Sequence, residues 1–96
     1  MNVMERIKNA KENNSVTLDL SGCELESIPS EVFELTHLET LIIRKNKIKT
    51  IPPEIGQLTN LKTLSLGGSK YFELSDLPPE IIALVDGGLD VNLNER

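Results

Sequence analysis

Apolar residues recur along the chain at a fixed interval of 23 positions. The clearest copy of the recurring unit runs from Leu38 to Leu58, and the copy before it has the same spacing. The paired apolar positions are Leu18 and Leu41, Leu20 and Ile43, Leu25 and Ile48, Ile28 and Ile51, Val32 and Ile55, and Leu35 and Leu58. A constant period of this length indicates a solenoid, in which each repeat is one structural unit stacked on the next.

Each copy begins with a stretch in which apolar and polar residues alternate, which predicts strands over residues 15–20, 39–43 and 62–66. The apolar residues of each triplet are expected to point into the core, so their neighbours line the other face of one parallel sheet. The predicted outward columns are Thr17, Thr40 and Thr63, then Asp19, Ile42 and Ser65, then Ser21, Arg44 and Gly67.

Two further positions of the repeat predict how the chain turns. The third residue after each triplet is Cys23, Asn46 or Ser69, and a small polar side chain there can satisfy backbone groups of the bend. Cys23 is therefore interpreted as a turn residue in preference to a reactive thiol. The proline steps at Pro29, Pro52 and Pro78 predict a short helix or 3₁₀ turn, because proline suits a first helical turn.

The spacing L-x-L-x-x-N-x-I-x-x-I-P from Leu41 to Pro52 resembles the leucine-rich repeat family, and the resemblance extends over residues 15–94. It implies an α/β solenoid of about four rungs, with a short parallel concave sheet and helical or 3₁₀ convex returns. It also implies that protein ligands bind on the concave sheet. The opening, a helix followed by TLDLSG, resembles the repeat region of some bacterial Roco-type GTPases, although the 96 residues contain no nucleotide-binding motif.

The first residues predict an amphipathic helix over residues 3–12 that covers the first rung. Asn2 is its expected N-cap, and Asn13 with Asn14 is its expected end. The apolar stripe consists of Val3, Met4, Ile7 and Ala10.

The third copy departs from the regular spacing. Three extra residues precede its proline step, so we expect an outward loop within residues 67–73 that holds Tyr71 and Phe72. The return that follows is one residue short between Leu84 and Leu89, and the spacing of Leu89, Val91 and Asn94 predicts a fourth rung. We expect a single domain over residues 1–96, with a cap at 1–14, repeats at 15–37, 38–60 and 61–85, and a partial terminal repeat at 86–96.

Composition narrows the classes of partner. The net charge of -5 and the pI of about 4.8 argue against nucleic acid and anionic membrane. One cysteine allows no intramolecular disulfide, and there is neither a signal peptide nor a run of about 18 apolar residues, so we expect a cytoplasmic location.

No pattern in the sequence predicts catalysis. His37 is the single histidine and is interpreted as an exposed polar residue, and no Ser-His-Asp set, carboxylate pair or metal-ligand cluster is present. We therefore expect no enzyme, cofactor or metal. The basic run from Arg44 to Lys49 is interpreted as a solvated edge in preference to an anion site.

The expected function is a non-catalytic module that binds a partner protein on the concave sheet. An apolar residue beside an arginine among small polar neighbours is a candidate for the centre of such a surface. The candidate contact residues are Asp19, Ile42, Arg44, Ser65, Tyr71 and Phe72. The alternative is a structural or regulatory repeat segment that self-associates through the uncovered last strand or belongs to a larger assembly.

Overall fold

The computed structural model describes residues 2–67 and 78–92, which form one parallel sheet with helical segments on the convex side, across the core from the sheet. The elements in chain order are α1 (Val3–Glu12), β1 (Thr17–Asp19), a 3₁₀ helix (Ser30–Glu34), β2 (Thr40–Ile42), a second 3₁₀ helix (Pro53–Gln57), β3 (Thr63–Ser65), α2 (Pro79–Asp86) and β4 (Asp90–Asn92). The strands lie in the order β1-β2-β3-β4, so each repeat pairs with the next. The predicted α/β solenoid is confirmed.

The register of the first three strands follows the 23-residue period. Leu18 pairs with Leu41 and Leu41 with Leu64, while Asp19, Ile42 and Ser65 form the neighbouring column. The middle residue of each strand is buried, because the pleat turns alternate side chains to opposite faces. The core is almost entirely aliphatic, with Leu20, Leu35, Leu38, Leu41, Ile43, Ile48, Ile55, Leu58, Leu64, Leu66 and Ile81 among its fully buried side chains.

Helix α1 covers the open side of β1, as its apolar spacing predicts. Its N-terminus is capped by Asn2, whose side chain accepts a hydrogen bond of 2.8 Å from the Glu5 backbone N–H. Asn14, just after the helix, adopts a left-handed φ of 51°. Ile7 is buried, but Met4 is 50% exposed. The placement of Met4 on the packed stripe was therefore wrong, since the stripe is narrower than the spacing suggested.

The convex returns all begin after a proline, as the IP steps predict. Pro29 and Pro52 each precede a five-residue 3₁₀ helix, whereas Pro78 precedes the eight-residue α-helix α2. These returns pack on one another side by side. At Gly56 the approach is close, since a Cβ there would lie 3.3 Å from the Glu80 Cβ.

The fourth rung exists, but its predicted alignment is wrong. Val91, and not Leu89, pairs with Leu64. Leu89 instead packs before the strand, where its N–H donates to the Leu84 carbonyl just as the Leu61 N–H donates to Leu58. The segment from Leu84 to Val91 is thus one residue longer than the equivalent segment from Leu58 to Leu64, because α2 completes an α-helical turn that ends at Gly87 and Gly88.

Some of the sequence predictions fall on residues that the structure does not describe. Tyr71 and Phe72, with the rest of the expected loop beyond Gly67, lie outside the described residues, and so does Asn94.

Candidate functional site

The sheet presents one face away from the core, and we call its side chains the outer sheet face. It consists of Thr17, Asp19, Ser21, Thr40, Ile42, Arg44, Thr63, Ser65, Gly67 and Asp90. Among these described positions, Ile42 is the single large apolar side chain, and it remains half-exposed. Threonine and small polar residues surround it, so the sheet brings together the neighbours predicted for Ile42.

Asp19 lies on this face, and its carboxylate is held by the chain itself. The Ser21 backbone N–H donates to Asp19 Oδ1 at 2.9 Å. Hydrogen bonds from the Ser21 side chain and backbone lower the pKa of Asp19, burial partly opposes them, and the charges of Arg6 and Arg44 make smaller contributions that also lower it. Asp19 is therefore ionised under ordinary conditions.

Arg6 belongs to the site, although its sequence position gave no sign of this. It projects from α1 to the edge of the sheet, where its Nη1 donates to the Asp19 carbonyl oxygen at 3.0 Å. The periodicity of α1 placed Arg6 on the polar side of the helix, which says only that it avoids the core. Its contact with β1 depends on how the helix docks on the first rung.

Arg44 is half-buried at the end of β2, between the small residues Ser21 and Gly67 of the adjacent rungs. Its Nε is fully buried and has no hydrogen-bond partner within residues 2–67 and 78–92. Leaving such a donor without an acceptor costs about 1–3 kcal/mol. Part of the hydrogen-bonding capacity of the side chain is thus unused among the described residues.

Ser65 differs from the sequence prediction. It aligns with Ile42 as expected, but it is only 8% exposed. A partner has little access to it, so the accessible part of the face is centred on β1 and β2.

Asn46 supports the site from beneath. Its Oδ1 accepts hydrogen bonds of 3.0 Å from the backbone N–H groups of Cys23 and Leu25, and its Nδ2 donates to the carbonyl oxygens of Leu20 and Arg44. The turn function predicted for Asn46 is confirmed. Cys23 is also part of the turn, and its Sγ makes only a 3.6 Å contact with the Ser21 carbonyl oxygen.

The basic run after β2 lies on the turn and not on the outer sheet face, apart from Arg44. Lys45, Lys47 and Lys49 are exposed. In the preceding repeat the positions equivalent to Lys47 and Lys49, 23 residues earlier, are Glu24 and Glu26. Alternating charges on neighbouring rungs favour the interpretation as a solvated edge.

His37 is not the fully exposed residue that its sequence context suggested. It is half-buried, and its Nε2 is buried without a hydrogen-bond partner in the described part of the chain. Within residues 2–67 and 78–92 no group of His, Cys, Asp or Glu side chains is placed to hold a metal ion. Nor is any helix of the described residues long and apolar enough to cross a membrane.

Comparison with known families agrees with the geometry. The model of the leucine-rich repeat family matches residues 15–70, which include the first three strands and both 3₁₀ returns. The chain belongs to the leucine-rich repeat family. Domains of this family generally mediate protein–protein interaction and are typically non-enzymatic. Comparison with curated proteins gives no significant match. The narrower resemblance to Roco-type GTPases stays a prediction.

Proposed function

We propose that this leucine-rich repeat domain binds a partner protein on its outer sheet face, with Ile42 and Arg44 at the centre of the contact. The observation that carries the proposal is a half-exposed pair among threonines and small residues: an isoleucine at the end of β2 and an arginine two residues after it. Interface centres are enriched in large apolar and arginine side chains that become desolvated when a partner binds. Asp19 lies beside the pair and offers a fixed negative charge at the rim.

The rigidity of the site also supports binding. Ile42 lies in the middle rung, whose neighbouring side chains Leu41 and Ile43 are fully buried. The end of the strand is fixed by the buried Asn46. A preformed surface of this kind loses little conformational entropy when a partner docks. The reducing, cytoplasmic location expected from the sequence belongs to the same proposal.

The test is an affinity capture with matched variants. The immobilised domain is compared as wild type, as Ile42→Asp with Arg44→Ala, and as Met4→Asp. Met4 is exposed on α1 and lies off the outer sheet face, so its variant controls for the loss of an exposed apolar group. A specific partner should bind wild type and Met4→Asp and be lost from the double variant. Circular dichroism must be unchanged in all three. A protein retained equally by all of them would count against this face.

The alternative function, association through the last rung, has an observation of its own. On α2, Ile82 and Val85 are 60% and 44% exposed, and they lie on the side of the helix away from Glu80, which packs toward Gly56 of the preceding return. In this chain each return packs against the next one, so these two residues occupy the side on which a further repeat or a second copy would stack.

Light scattering coupled to size exclusion tests the alternative. Self-association predicts a mass above that of the 10.7 kDa chain at high concentration, and Ile82→Asp should return it to the monomer. A wild type that stays monomeric over the whole concentration range would remove self-association and leave binding to other proteins as the function.

A further inference from the structure

We propose that the partner presents a carboxylate side chain to Arg44, next to an apolar side chain that contacts Ile42. This inference rests on the proposed function and names the chemistry of the partner segment. Charge is distributed unevenly on the outer sheet face: the two arginines, Arg6 and Arg44, lie beside β1 and β2, and the exposed Asp90 lies on β4.

Asp19 is already hydrogen-bonded through its carboxylate inside the molecule. Its carboxylate accepts from the Ser21 backbone N–H at 2.9 Å, and Arg6 lies beside it and donates to its carbonyl oxygen. Within residues 2–67 and 78–92 no ion pair shorter than 4.0 Å joins Asp19 to Arg44. Glu39 is also engaged, since its Oε1 lies 3.2 Å from Lys62 Nζ. Two arginines, Arg6 on α1 and Arg44 after β2, therefore lie near one aspartate, and this part of the face carries a net positive charge.

Arg44 carries a positive charge that no ion pair within 4.0 Å neutralises in the described part of the chain. Its Nε is buried and lies out of reach of a docked partner, so a partner can meet only the part of the side chain that remains exposed. A carboxylate is the natural complement, because its two oxygens match the fork of donors on an arginine and form short, charge-assisted hydrogen bonds.

The spacing of the two anchor residues defines the partner further. Arg44 follows Ile42, the last residue of β2, by two positions, and its carbonyl oxygen still accepts a hydrogen bond from the Gly22 N–H of the neighbouring rung. The two residues therefore lie at most roughly 7 Å apart along the sheet. A partner segment matches them with an acidic and an apolar residue at i and i+2 when extended, or at i and i+3 or i+4 on a helix. The exposed Asp90 in β4 would repel an acidic segment, so we expect the segment to extend toward the Arg6 side of the sheet.

Selection from a library of short random peptides displayed on phage tests the inference without knowledge of the natural partner. The intact domain is the bait, and selected peptides are then synthesised and titrated against four variants: Ile42→Arg, Arg44→Glu, Arg44→Gln and Lys47→Glu. Lys47 is an exposed lysine off the outer sheet face, so its reversal controls for a general change of charge. Arg44→Gln provides a milder change should Arg44→Glu fail to fold.

The expected peptides carry Asp or Glu at the stated spacing from an apolar residue. Their affinity should fall by about tenfold or more in both Arg44 variants and stay within about twofold in Lys47→Glu. Selection on the folded Arg44→Glu domain should shift the enrichment to Lys and Arg. Peptides that require Ile42 but show no acidic preference and tolerate both Arg44 variants would overturn this inference and leave the proposed function standing. A selection that yields no peptide dependent on Ile42 counts against both.

Discussion

Asn46 and Leu20 are joined across two rungs by a buried hydrogen bond of 2.9 Å from the asparagine Nδ2 to the leucine carbonyl oxygen. The Oδ1 of the same carboxamide accepts hydrogen bonds from the backbone N–H groups of Cys23 and Leu25 in the preceding turn. One side chain thus replaces the sheet hydrogen bonds that end where the strands end. Because Asn46 is only 4% exposed, water cannot take over these contacts.

Replacing Asn46 by alanine should therefore destabilise the domain strongly. The variant leaves buried N–H and C=O groups of the turn without partners, and we expect it to lower the free energy of unfolding by about 3 kcal/mol. Urea denaturation followed by circular dichroism measures the change. The matched control is Asn60→Ala, because Asn60 is exposed and makes one 3.0 Å hydrogen bond to the Thr36 carbonyl oxygen. Asn60→Ala should lower the free energy of unfolding by about 1 kcal/mol or less. Equal effects at the two sites would contradict the role given to Asn46.

Gly22 and Lys45 occupy equivalent positions of consecutive rungs and share a left-handed backbone, with φ of 66° and 56°. A Cβ on Gly22 would meet nothing within 4 Å, so Gly22→Ala is penalised by backbone conformation alone, at about 1 kcal/mol. For the same reason Lys45→Gly should stabilise the domain, by up to about 1 kcal/mol.

The control for this pair is Lys47→Gly on the same turn. Lys47 is exposed and is not among the described residues with positive φ, so glycine there should only add flexibility to the unfolded chain and destabilise slightly. Thermal unfolding of Gly22→Ala, Lys45→Gly and Lys47→Gly gives the order of their stabilities. If Lys45→Gly proved no more stable than Lys47→Gly, the left-handed strain at Lys45 would be absent.

The capping function of α1 predicts a contrast between two of its apolar residues. Ile7 is 4% exposed against the first rung, whereas Met4 is 50% exposed. Ile7→Ala should cost about 2–4 kcal/mol, because it leaves a cavity at the covered end of the core. Met4→Ala should change stability by about 0.5 kcal/mol or less. Chemical denaturation of both variants checks this, and comparable losses would mean that α1 packs on β1 through a different face.

Asp19 gives the domain a pH-dependent contribution to stability. Its pKa is lowered in the folded state from the ordinary value of 3.8 by the hydrogen bonds from Ser21. A carboxyl with a depressed pKa stabilises the fold above its unfolded pKa, and the contribution disappears as the pH falls through the folded value. The difference in unfolding free energy between wild type and Asp19→Asn should therefore be constant near neutral pH and shrink below about pH 4.

The Ser21 hydroxyl provides an independent check on this cause. In Ser21→Ala the side-chain donor is lost while the backbone N–H remains, so the pKa of Asp19 should move upward toward its ordinary value. An NMR titration of the Asp19 carboxyl carbon in both proteins measures the shift. An unchanged titration curve would assign the low pKa to the Ser21 backbone N–H and the neighbouring arginines instead.

Much of the site follows directly from the repeat. The columns that set Asp19 beside Ile42, and Ser21 beside Arg44, come from a 23-residue period that strand pairing preserves. Accessibility did not follow in the same way. Ser65 has the same place in the repeat as Ile42, yet it is nearly buried, and Arg6 enters the site from another element. Exposure depends on what packs nearby, and the repeat pattern contains no information about that.

The 23-residue apolar spacing is enough to predict the solenoid, its first three rungs and its covered N-terminal end, because a parallel stack requires each rung to repeat the apolar spacing of the last. Contacts between distant elements set where the fourth rung aligns and which of the described charges are paired. Val91 faces Leu64 because α2 forms a complete α-helix where the earlier returns form 3₁₀ turns. Arg44 has no ion pair within 4.0 Å among the described residues, and Asp19 is hydrogen-bonded by Ser21 and contacted by Arg6 instead. Both outcomes arise from contacts between elements distant in sequence, where local spacing gives no constraint.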